Sequence, residues 1–298
     1  MTRQHKYSIT IINTPPVLAD VTLGPDPSYE ADTLICSPGT TSDEDGTTSF
    51  SYGYTWTVDG TTISATDSTL SGSDFDRDQV ISCTATPNDG EDDGEPVSSN
   101  SITISNTLPT IDSVSLSPTS PLVTDTLTCS YSGYDDDDDD ADVSTYSWTI
   151  DGNEVGTEAT LEGVFLKGEV VLCTVTPKDG TDTGTSRSAS TTILNSIPVV
   201  SNVAIDPEEA YAADTLLCTY DFSDDDDDTD SSTYSWTIDG VEVGTSATLT
   251  GAFVGGDEVM CTITPGDGET TGTAVSQTIT IINTAPVLAD VALSPDPA

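Results

Sequence analysis

The sequence has few basic residues and almost no histidine. Lys and Arg together number six and His one, against 52 Asp and Glu, so the formal net charge over 298 residues is -46. A surface of this sign repels the phosphates of nucleic acid and of anionic membranes, which excludes both as electrostatic partners. Cations are the partners that this charge favours.

Several functional motifs are also missing. The only histidine is His5, and the sequence contains no nucleophile elbow, phosphate loop or HExxH motif, so we predict that the chain is not an enzyme. No run of 18 apolar residues occurs, which predicts no membrane-spanning helix in this segment. The first residues, MTRQHKYSITIINT, lack the apolar middle and the cleavage site of a signal peptide.

Cysteine is scarce but regularly placed. Six cysteines and three tryptophans recur in one order with a period of about 90 residues. They are Cys36, Trp56 and Cys83, then Cys129, Trp148 and Cys173, then Cys218, Trp236 and Cys261. None of the cysteines has the CxxC spacing of a zinc site, so paired cysteines favour disulfides and an oxidising, extracellular compartment. The period predicts three complete repeats in tandem, called modules 1, 2 and 3 below.

Each module is predicted to be all β. Short runs rich in Thr, Val, Ile, Ser and Tyr are separated by Gly, Pro, Asp and Asn, and no segment keeps a 3.6-residue apolar period. In the segment TYSWTIDG, alternate residues Tyr146, Trp148 and Ile150 fall on one face of a strand, and Asp151-Gly152 predicts a hairpin turn. The strand of the second cysteine alternates in the same way, which places cysteine and tryptophan in one core.

The order Cys-Trp-Cys resembles the immunoglobulin (Ig) β-sandwich. The resemblance covers nearly the whole chain and implies a tandem array of Ig-like domains, each with one disulfide between strands B and F and a Trp on strand C. The implied pairs are Cys36–Cys83, Cys129–Cys173 and Cys218–Cys261. The tyrosine corner of antibody domains is absent, because Ile81, Val171 and Val259 stand two residues before the second cysteine.

The sequence motifs of the repeats are also similar to those of the Ig-like and PKD-like arrays of very long bacterial surface and secreted proteins. The motifs are STYSWTIDGxEVGTxATLxGxF, CTxTPxDGxxxG and INTxP. Such arrays act as stalks, fibres and adhesins, so this resemblance implies an extracellular or cell-surface location.

Module boundaries follow from the repeated linker. The 17 residues from position 11 recur from position 281 with 14 identities. We predict Ig-like domains at 14–105, 106–194 and 195–282, the last strand of a preceding repeat at 1–13, and the first strand of a following repeat at 283–298. This organisation is typical of a piece of a longer array, and the alternative is that the terminal strands pair with other subunits. The predicted partners are therefore further copies of the repeat, in the same chain or end to end as a fibre.

Acidic residues are concentrated in two loops of each module. Asp135 to Asp140 and Asp224 to Asp228 are unbroken runs, in which neighbouring carboxylates just over 6 Å apart repel by roughly 0.6 kcal/mol per pair in water. The resemblance assigns these runs to B–C loops and Asp89, Asp179 and Asp267 to F–G loops, which lie together at the end where the incoming linker arrives. The carboxylates are therefore expected to converge at the module junctions.

Clustered carboxylate oxygens on flexible loops suit Ca²⁺, the predicted cofactor. The predicted ligands are Asp43, Glu44, Asp45 and Asp89 in module 1; Asp136, Asp138, Asp140, Asp142 and Asp179 in module 2; and Asp224, Asp226, Asp228, Asp230 and Asp267 in module 3. Module 1 has only three acids in its B–C loop, so its site is expected to be weaker or to hold fewer ions.

Alternatives remain at these positions. The acidic loops can be solvated, with the charge reflecting life in high salt. The Asp-Gly pairs at Asp89, Asp179 and Asp267 are equally typical of turns. The linker asparagines are interpreted as turn or capping residues rather than ligands: Asn13, Asn106, Asn195 and Asn283.

Three functions are compatible with the sequence. The first is a structural component of an extracellular fibre, stalk or surface filament made rigid by Ca²⁺ at its junctions. The second is a Ca²⁺-dependent adhesin that binds a cell-surface or carbohydrate ligand, for which Tyr134 and Phe222 beside the acidic runs are the candidate aromatic contacts. The third is a spacer in a large secreted enzyme.

Overall fold

The computed structural model describes residues 6, 8–10, 12–163, 165–251 and 253–289. Within them the chain is built from β-strands and loops, with one short 3-10 turn at Gly72–Asp74. No helix in this part of the chain has the length and apolar character needed to cross a membrane. The strands expected at 1–13 and 283–298 lie for the most part outside the described residues.

Module 1 is a β-sandwich. Its strands are β1 (Val17–Leu18), β2 (Val21–Gly24), β3 (Leu34–Pro38), β4 (Thr41–Ser42), β5 (Ser51–Val58), β6 (Thr61–Thr62), β7 (Thr69–Leu70), β8 (Val80–Asn88), β9 (Val97–Ser98) and β10 (Ile102–Thr103). One sheet has the order β2-β3-β7, a second has the order β10-β8-β5-β6 with β9 also on β8, and β1 pairs with β4. The pairings are antiparallel.

The two sheets of module 1 enclose the predicted core. Cys36 on β3 and Cys83 on β8 form a disulfide with a sulfur–sulfur distance of 2.07 Å, which joins one sheet to the other. Trp56 on β5 is fully buried beside it, and its indole N–H donates to the carbonyl of Asp67 at 2.9 Å. The buried indole thus retains a hydrogen-bond partner, as a polar group in an apolar core requires.

Module 3 repeats this sandwich. Its strands are β18 (Val199–Asp206), β19 (Thr215–Ser223), β20 (Thr233–Ile238), β21 (Val241–Gly244), β22 (Thr248–Thr250), β23 (Glu258–Thr264) and β24 (Val275–Thr280), in the sheets β18-β19-β22 and β21-β20-β23-β24. The disulfide Cys218–Cys261 joins β19 to β23, and Trp236 is fully buried in the same core. The predicted Ig-like fold and its disulfides are confirmed in both modules.

Module 2 carries the corresponding strands. They are β11 (Ser113–Ser117), β12 (Leu127–Ser132), β13 (Thr145–Ile150), β14 (Asn153–Gly156), β15 (Thr160–Leu161), β16 (Val170–Thr176) and β17 (Arg187–Thr192). Strand β12 pairs with β15 and β13 pairs with β14, both antiparallel. Cys129 and Cys173 are both disulfide-bonded, and Trp148 is fully buried.

The Asp-Gly pair after each tryptophan strand makes the predicted hairpin turn. Asp151 and Gly152 have φ angles of 49° and 84°, and the equivalent pairs in the other modules have nearly the same values. Two successive positive φ angles define the turn that matches the right-handed twist of paired strands, and Asp-Gly is one of the dipeptides that favour it.

The chain divides into two compact units, and the division passes through module 2. The first unit comprises Met1–Ser115, Ser130–Ser147 and Cys173–Ala189, and the second comprises Leu116–Cys129, Trp148–Leu172 and Ser190–Ala298. The linker between modules 1 and 2, with both acidic loops of module 2, lies in the first unit. The linker between modules 2 and 3, with both acidic loops of module 3, lies in the second unit.

Candidate functional site

The acidic run of module 2 is a turn whose alternate side chains differ in exposure. Asp136, Asp138 and Asp140 are half-buried, whereas Asp137 and Asp139 are exposed. The Asp136 carboxylate accepts a hydrogen bond from the Asp138 backbone N–H at 3.1 Å, and Asp139 has a φ of 56°. The run is therefore a folded loop that directs every second carboxylate toward the protein.

The same turn occurs in the other two modules. In module 3 the Asp224 carboxylate accepts from the Asp226 N–H at 2.8 Å, with Asp228 half-buried at the end of the run. In module 1 the Asp43 carboxylate accepts from the Asp45 N–H at 2.7 Å. Glu44 is exposed and lies outside these bonds, which leaves module 1 with the smaller acidic loop.

The aspartate two residues after the first acceptor of each turn binds the backbone of the incoming linker. In all three modules its Oδ2 atom accepts a hydrogen bond from a linker N–H, at 2.5 to 2.6 Å. The pairs are Thr14 with Asp45, Thr107 with Asp138, and Ser196 with Asp226. A bond between an ionised acceptor and an N–H donor is stronger than a neutral one, so the run fixes the position of the linker.

The F–G aspartate of each module binds a second group of the linker. Asp179 accepts two backbone N–H bonds from its own loop, from Thr181 and Asp182, and a third from the Asn106 side-chain amide at 2.9 Å. Asp89 and Asp267 make the same contacts in their modules. The turn role considered for these residues is present, and it includes a bond to the linker asparagine.

These bonds lower the pKa of the F–G carboxylates. For Asp89 the backbone N–H of Asp92 and then the Asn13 amide lower the pKa to about 2. For Asp267 the Asn195 amide is the main cause, followed by the N–H of Thr270. Donors that favour the ionised form keep both groups charged at neutral pH.

A basic side chain from the preceding module completes each junction. Arg77 of module 1 contacts the carboxylate of Asp140, and Lys167 of module 2 contacts that of Asp228 at 2.6 Å. Lys167 also binds Glu269 at 2.7 Å. Two of the six basic residues in the chain therefore neutralise part of the acidic run of the following module.

The linker asparagine joins the two modules at each junction. The Asn106 carbonyl accepts from Arg77 of module 1, while its amide donates to Asp179 of module 2. Asn195 repeats the arrangement between Lys167 and Asp267, at 2.9 Å on both sides. One asparagine side chain thus binds the basic side chain of one module and the F–G carboxylate of the next.

The linker also packs tightly against the F–G loop. A Cβ atom at Gly184 would collide with the carbonyl oxygen of Pro109, and one at Gly272 would collide with that of Pro198. Gly94 stands in the same relation to Pro16. The close approach of the linker backbone therefore requires the second glycine of the DGxxxG motif.

Two carboxylate groups have the spacing of metal ligands. In Asp136, Asp140 and Asp179, and in Asp224, Asp226 and Asp228, one oxygen atom per residue lies within 4.8 Å of the others in its group. The other predicted ligands belong to neither group: Asp43, Glu44, Asp45, Asp89, Asp138, Asp142, Asp230 and Asp267. Of these, Asp142 and Asp230 each accept a tyrosine hydroxyl, from Tyr131 at 2.7 Å and Tyr220 at 2.9 Å respectively.

Several buried oxygens in these turns have no hydrogen-bond partner. In the described part of the chain they include Oδ1 of Asp138 and of Asp226, and Oδ2 of Asp43 and of Asp224. The hydroxyls of Thr107 and Ser196, next to the linker asparagines, are also without a partner. A buried carboxylate oxygen that lacks a donor is costly, so these atoms fit a bound cation.

The two candidate aromatic contacts for a carbohydrate are occupied within the protein. Tyr134 donates its hydroxyl to Asp136 and to the carbonyl of Lys178, each at 3.3 Å. Phe222 is half-buried and packs on the core of module 3. Neither ring is presented as an open platform.

The basic residues of the junctions were not among the predicted site residues, and the linker asparagines were predicted to have only a turn or capping role. The position of the basic residues could have identified them, because Arg77 and Lys167 both stand six residues before the second cysteine of their module. The equivalent residue of module 3 is Gly255, where a Cβ atom would collide with the Cα atom of Asn283 in the next linker.

Neither the protein-family models nor the curated proteins include a match to this sequence. Among solved structures, the three N-terminal domains of the highly immunogenic outer capsid protein of bacteriophage RB49 are 17% identical at a TM-score of 0.31, covering 89% of this chain and 99% of that one. A Ca²⁺-stabilised adhesin with which an Antarctic bacterium binds ice is 16% identical at a TM-score of 0.37, covering 91% and 74%. Extracellular domains 3–5 of Drosophila OTK are 14% identical at 0.33, covering 91% and 99%. At TM-scores below 0.5 the fold assignment rests on the strands and disulfides of this chain.

Proposed function

We propose that this chain is a segment of an extracellular stalk or fibre, built from tandem Ig-like modules whose junctions are made rigid by Ca²⁺. The observation that carries the proposal is the linker asparagine at both junctions. Asn106 and Asn195 each bind a cation of the preceding module and an F–G aspartate of the following one. Such contacts at both junctions favour a stiff array over flexibly tethered modules.

Three further features support a fixed junction. The linker backbone donates to the acidic run at 2.6 Å in the first junction and 2.5 Å in the second. Glycines of the F–G loop admit the carbonyl groups of Pro109 and Pro198. Proline restricts its own φ angle and the conformation of the residue before it, so little freedom remains in the linker.

Ca²⁺ fits the chemistry of the acidic runs. The carboxylates of Asp136, Asp140 and Asp179 would hold one ion in module 2, and Asp224, Asp226 and Asp228 would hold one in module 3. Each acidic run carries more negative charge than the single Arg or Lys of its junction neutralises. A Ca²⁺ ion would neutralise part of the remainder. Because Ca²⁺ accepts six to eight oxygen ligands in flexible geometry, it suits these loops better than Mg²⁺.

The extracellular setting of the proposal is supported by the cysteines, all six of which are disulfide-bonded. The PKD-like sequence motifs of the repeats favour a long bacterial surface protein, of which this chain would be a segment. The adhesin alternative is less favoured, because Tyr134 and Phe222 are engaged within their modules and the half-buried carboxylates Asp138 and Asp226 bind the linkers.

The proposal is tested by thermal unfolding of the 298-residue chain in millimolar Ca²⁺ and in NaCl of the same ionic strength. A ligand that binds only the folded state at a hundred times its Kd adds about 2.7 kcal/mol to the free energy of unfolding. We expect a clear rise in Tm with Ca²⁺ and a smaller one with NaCl. Equal rises in the two salts would instead indicate a surface adapted to high salt.

Two variants of one acidic run provide a matched comparison. Asp136→Asn with Asp140→Asn removes two half-buried carboxylates, whereas Asp135→Asn with Asp137→Asn removes two exposed ones and the same charge. The first pair should reduce the Ca²⁺-dependent rise in Tm, and the second should retain it. If both pairs behave alike, the effect of Ca²⁺ is general charge screening.

A further inference from the structure

The end of module 3 that receives the next linker differs from the ends of modules 1 and 2 in its charge. Arg77 and Lys167 supply the positive charge of the first and second junctions, and the residue at their position in module 3 is Gly255. A Cβ atom at Gly255 would lie 3.1 Å from the side-chain oxygen of Asn283. The linker asparagine therefore packs directly on the chain where the other two modules place a basic side chain.

The linker that leaves module 3 is nevertheless anchored like the linker that leaves module 2. The Ile282 N–H donates to the carbonyl of Ala210 at 2.7 Å, and the Leu194 N–H donates to the carbonyl of Pro121 at 2.7 Å. The asparagine that follows therefore starts from an equivalent position in both modules. The difference between the two exits is the absence of the basic side chain in module 3.

The entry of module 1 lacks the acid that such a basic side chain would bind. Four residues after the first acceptor of the acidic turn, modules 2 and 3 have Asp140 and Asp228. These are the carboxylates that contact Arg77 and Lys167. Module 1 has the uncharged Thr47 at this position. Its turn therefore requires no cation from the module that precedes it.

Module 1 also supplies an additional hydrogen bond to its own acidic turn. The Thr14 hydroxyl donates to Asp45 at 2.7 Å, beside the bond from the Thr14 N–H. The equivalent hydroxyls of Thr107 and Ser196 are buried without a partner. The uncharged exit of module 3 thus matches the entry of module 1 better than it matches the entries of modules 2 and 3.

The residues that follow module 3 have the sequence of a module 1 entry. The segment 281–297 has 14 identities in 17 positions with 11–27, but 8 with the equivalent segment 104–120 and 7 with 193–209. The linker and first strand after module 3 are therefore of the module 1 type.

We propose that the end of module 3 is an interface for the entry of module 1 of a second copy, so that three modules form the unit that repeats along the array. Module 2 or 3 in this place would bring Asp140 or Asp228 against Gly255, with no cation to pair. Unpaired charges of this kind discriminate between partners. The inference rests on the proposed function for the serial arrangement of modules, and it does not depend on Ca²⁺.

The first test is a doubled chain in which residues 1–282 are followed directly by residues 13–298. Hydrogen exchange measured by mass spectrometry, with a chelator present, reports on the linker of each junction. The Thr14 N–H, which is bound to Asp45, should exchange more slowly in the second copy, where module 3 packs against it, than in the first. Equal exchange in the two copies would show that module 3 does not hold this entry, and the inference would be wrong.

The second test places one entry after two different modules. In a chain of residues 1–282 followed by 106–298, module 2 follows module 1 and also follows module 3. The Thr107 N–H, which is bound to Asp138, should exchange faster after module 3, by up to about fivefold for the loss of one partly exposed ion pair. Both junctions contain the same acidic run, so any residual metal acts on both alike.

A rescue variant of this second chain isolates the charge. Asp140→Thr in the second copy of module 2 recreates the entry of module 1 and should slow the exchange after module 3. The control Asp137→Asn in that copy removes the same charge from an exposed side chain and should leave the exchange fast. Equal exchange of Thr107 at both junctions of the parent chain would mean that the charge pair does not select the neighbour. None of these results depends on the response of Tm to Ca²⁺, so the proposed function is tested separately.

Discussion

At the scale of single residues, the junction depends on a side chain with both a donor and an acceptor. Asn106 accepts from Arg77 through its carbonyl and donates to Asp179 through its amide. Aspartate at this position would repel Asp179, and lysine would repel Arg77. Asparagine satisfies both neighbours without adding charge, which accounts for its presence at both junctions of this acidic chain.

Replacing Asn106 with alanine should raise the pKa of Asp179. Burial already opposes ionisation of this carboxyl, and the Asn106 amide is the first cause that lowers its pKa, ahead of the loop N–H groups. When the pKa of a carboxyl is lower in the folded state than in the unfolded state, the carboxyl stabilises the fold at any pH above the unfolded-state pKa. This stabilisation is lost as the pH falls to the folded-state pKa. In Asn106→Ala the folded-state pKa of Asp179 should rise, so this carboxyl should contribute less stability at neutral pH, and the loss of its contribution should be complete at a higher pH.

Carboxyl carbon NMR titration measures this shift directly, and Tm as a function of pH measures its effect on stability. Asn195→Ala is the matched control, because it removes the donor to Asp267 in the second junction and should leave Asp179 unchanged. An Asp179 titration that is the same in Asn106→Ala and in the unmodified chain would contradict the role assigned to the amide.

At the scale of elements, the strands and core could be predicted from the sequence because period-2 alternation and the Cys-Trp-Cys spacing are properties of one chain segment. Trp56, Trp148 and Trp236 are buried as expected, and Asp151-Gly152 forms its turn. The junction contacts could not be predicted in the same way. Arg77 and Asp140 are 63 residues apart, and only the packing of one module on the next brings them together.

The aspartates show the same limit. Alternation of the run predicts that Asp136, Asp138 and Asp140 share a side, and they do. It does not predict that Asp138 binds the linker, that Asp140 pairs with a cation of another module, or that Asp142 turns away toward Tyr131. Those differences arise from neighbours supplied by other elements.

The linker and the F–G loop form one packed element pair, which Gly184→Ala should disrupt. The added Cβ would collide with the Pro109 carbonyl, so the linker must move and lose its bonds to Asp138 and Asp179. The first junction should become mobile while the sandwich of module 2 stays folded. Backbone amide NMR relaxation across residues 105–110 should detect this as increased motion.

Two other glycines serve as controls for that experiment. Gly272→Ala should produce the same change in the second linker and spare the first, because its neighbour is Pro198. Gly163→Ala places its Cβ at ordinary distances of 3.7 and 3.8 Å from Phe165 and should leave both linkers unchanged. Unaltered linker motion in both Gly184→Ala and Gly272→Ala would show that close packing does not restrain the chain.

At the scale of the whole molecule, a net charge of -46 opposes any compact arrangement of acidic loops at the junctions. Arg77 and Lys167 offset part of the repulsion locally, and each is joined to its junction by one linker asparagine. The remaining carboxylates repel one another wherever no cation binds them. On the proposed function, we therefore expect the stiffness of the junctions to depend on the concentration of divalent cations.

Removing Ca²⁺ should accordingly shorten the average end-to-end length of the chain. Without the ion, repulsion within each run weakens the contacts of the linker with Asp138 and Asp226, and the modules bend more freely about Pro109 and Pro198. Each sandwich should remain folded, since its disulfide and buried tryptophan do not depend on metal. Small-angle X-ray scattering with Ca²⁺ and with a chelator measures the change as a smaller maximum dimension and radius of gyration in the chelator.

The contribution of each junction can be separated in the same experiment. Asp136→Asn, Asp138→Asn and Asp140→Asn together should make the first junction flexible even in Ca²⁺, so the variant should be partly shortened. Adding chelator should then remove Ca²⁺ from the second junction and shorten the variant further. The set Asp135→Asn, Asp137→Asn and Asp139→Asn removes equal charge from exposed side chains of the same run and should keep the full response to Ca²⁺. Superimposable profiles of the unmodified chain with Ca²⁺ and with chelator would mean that metal does not set stiffness. A binding role for the acidic loops would then become the better account of the array.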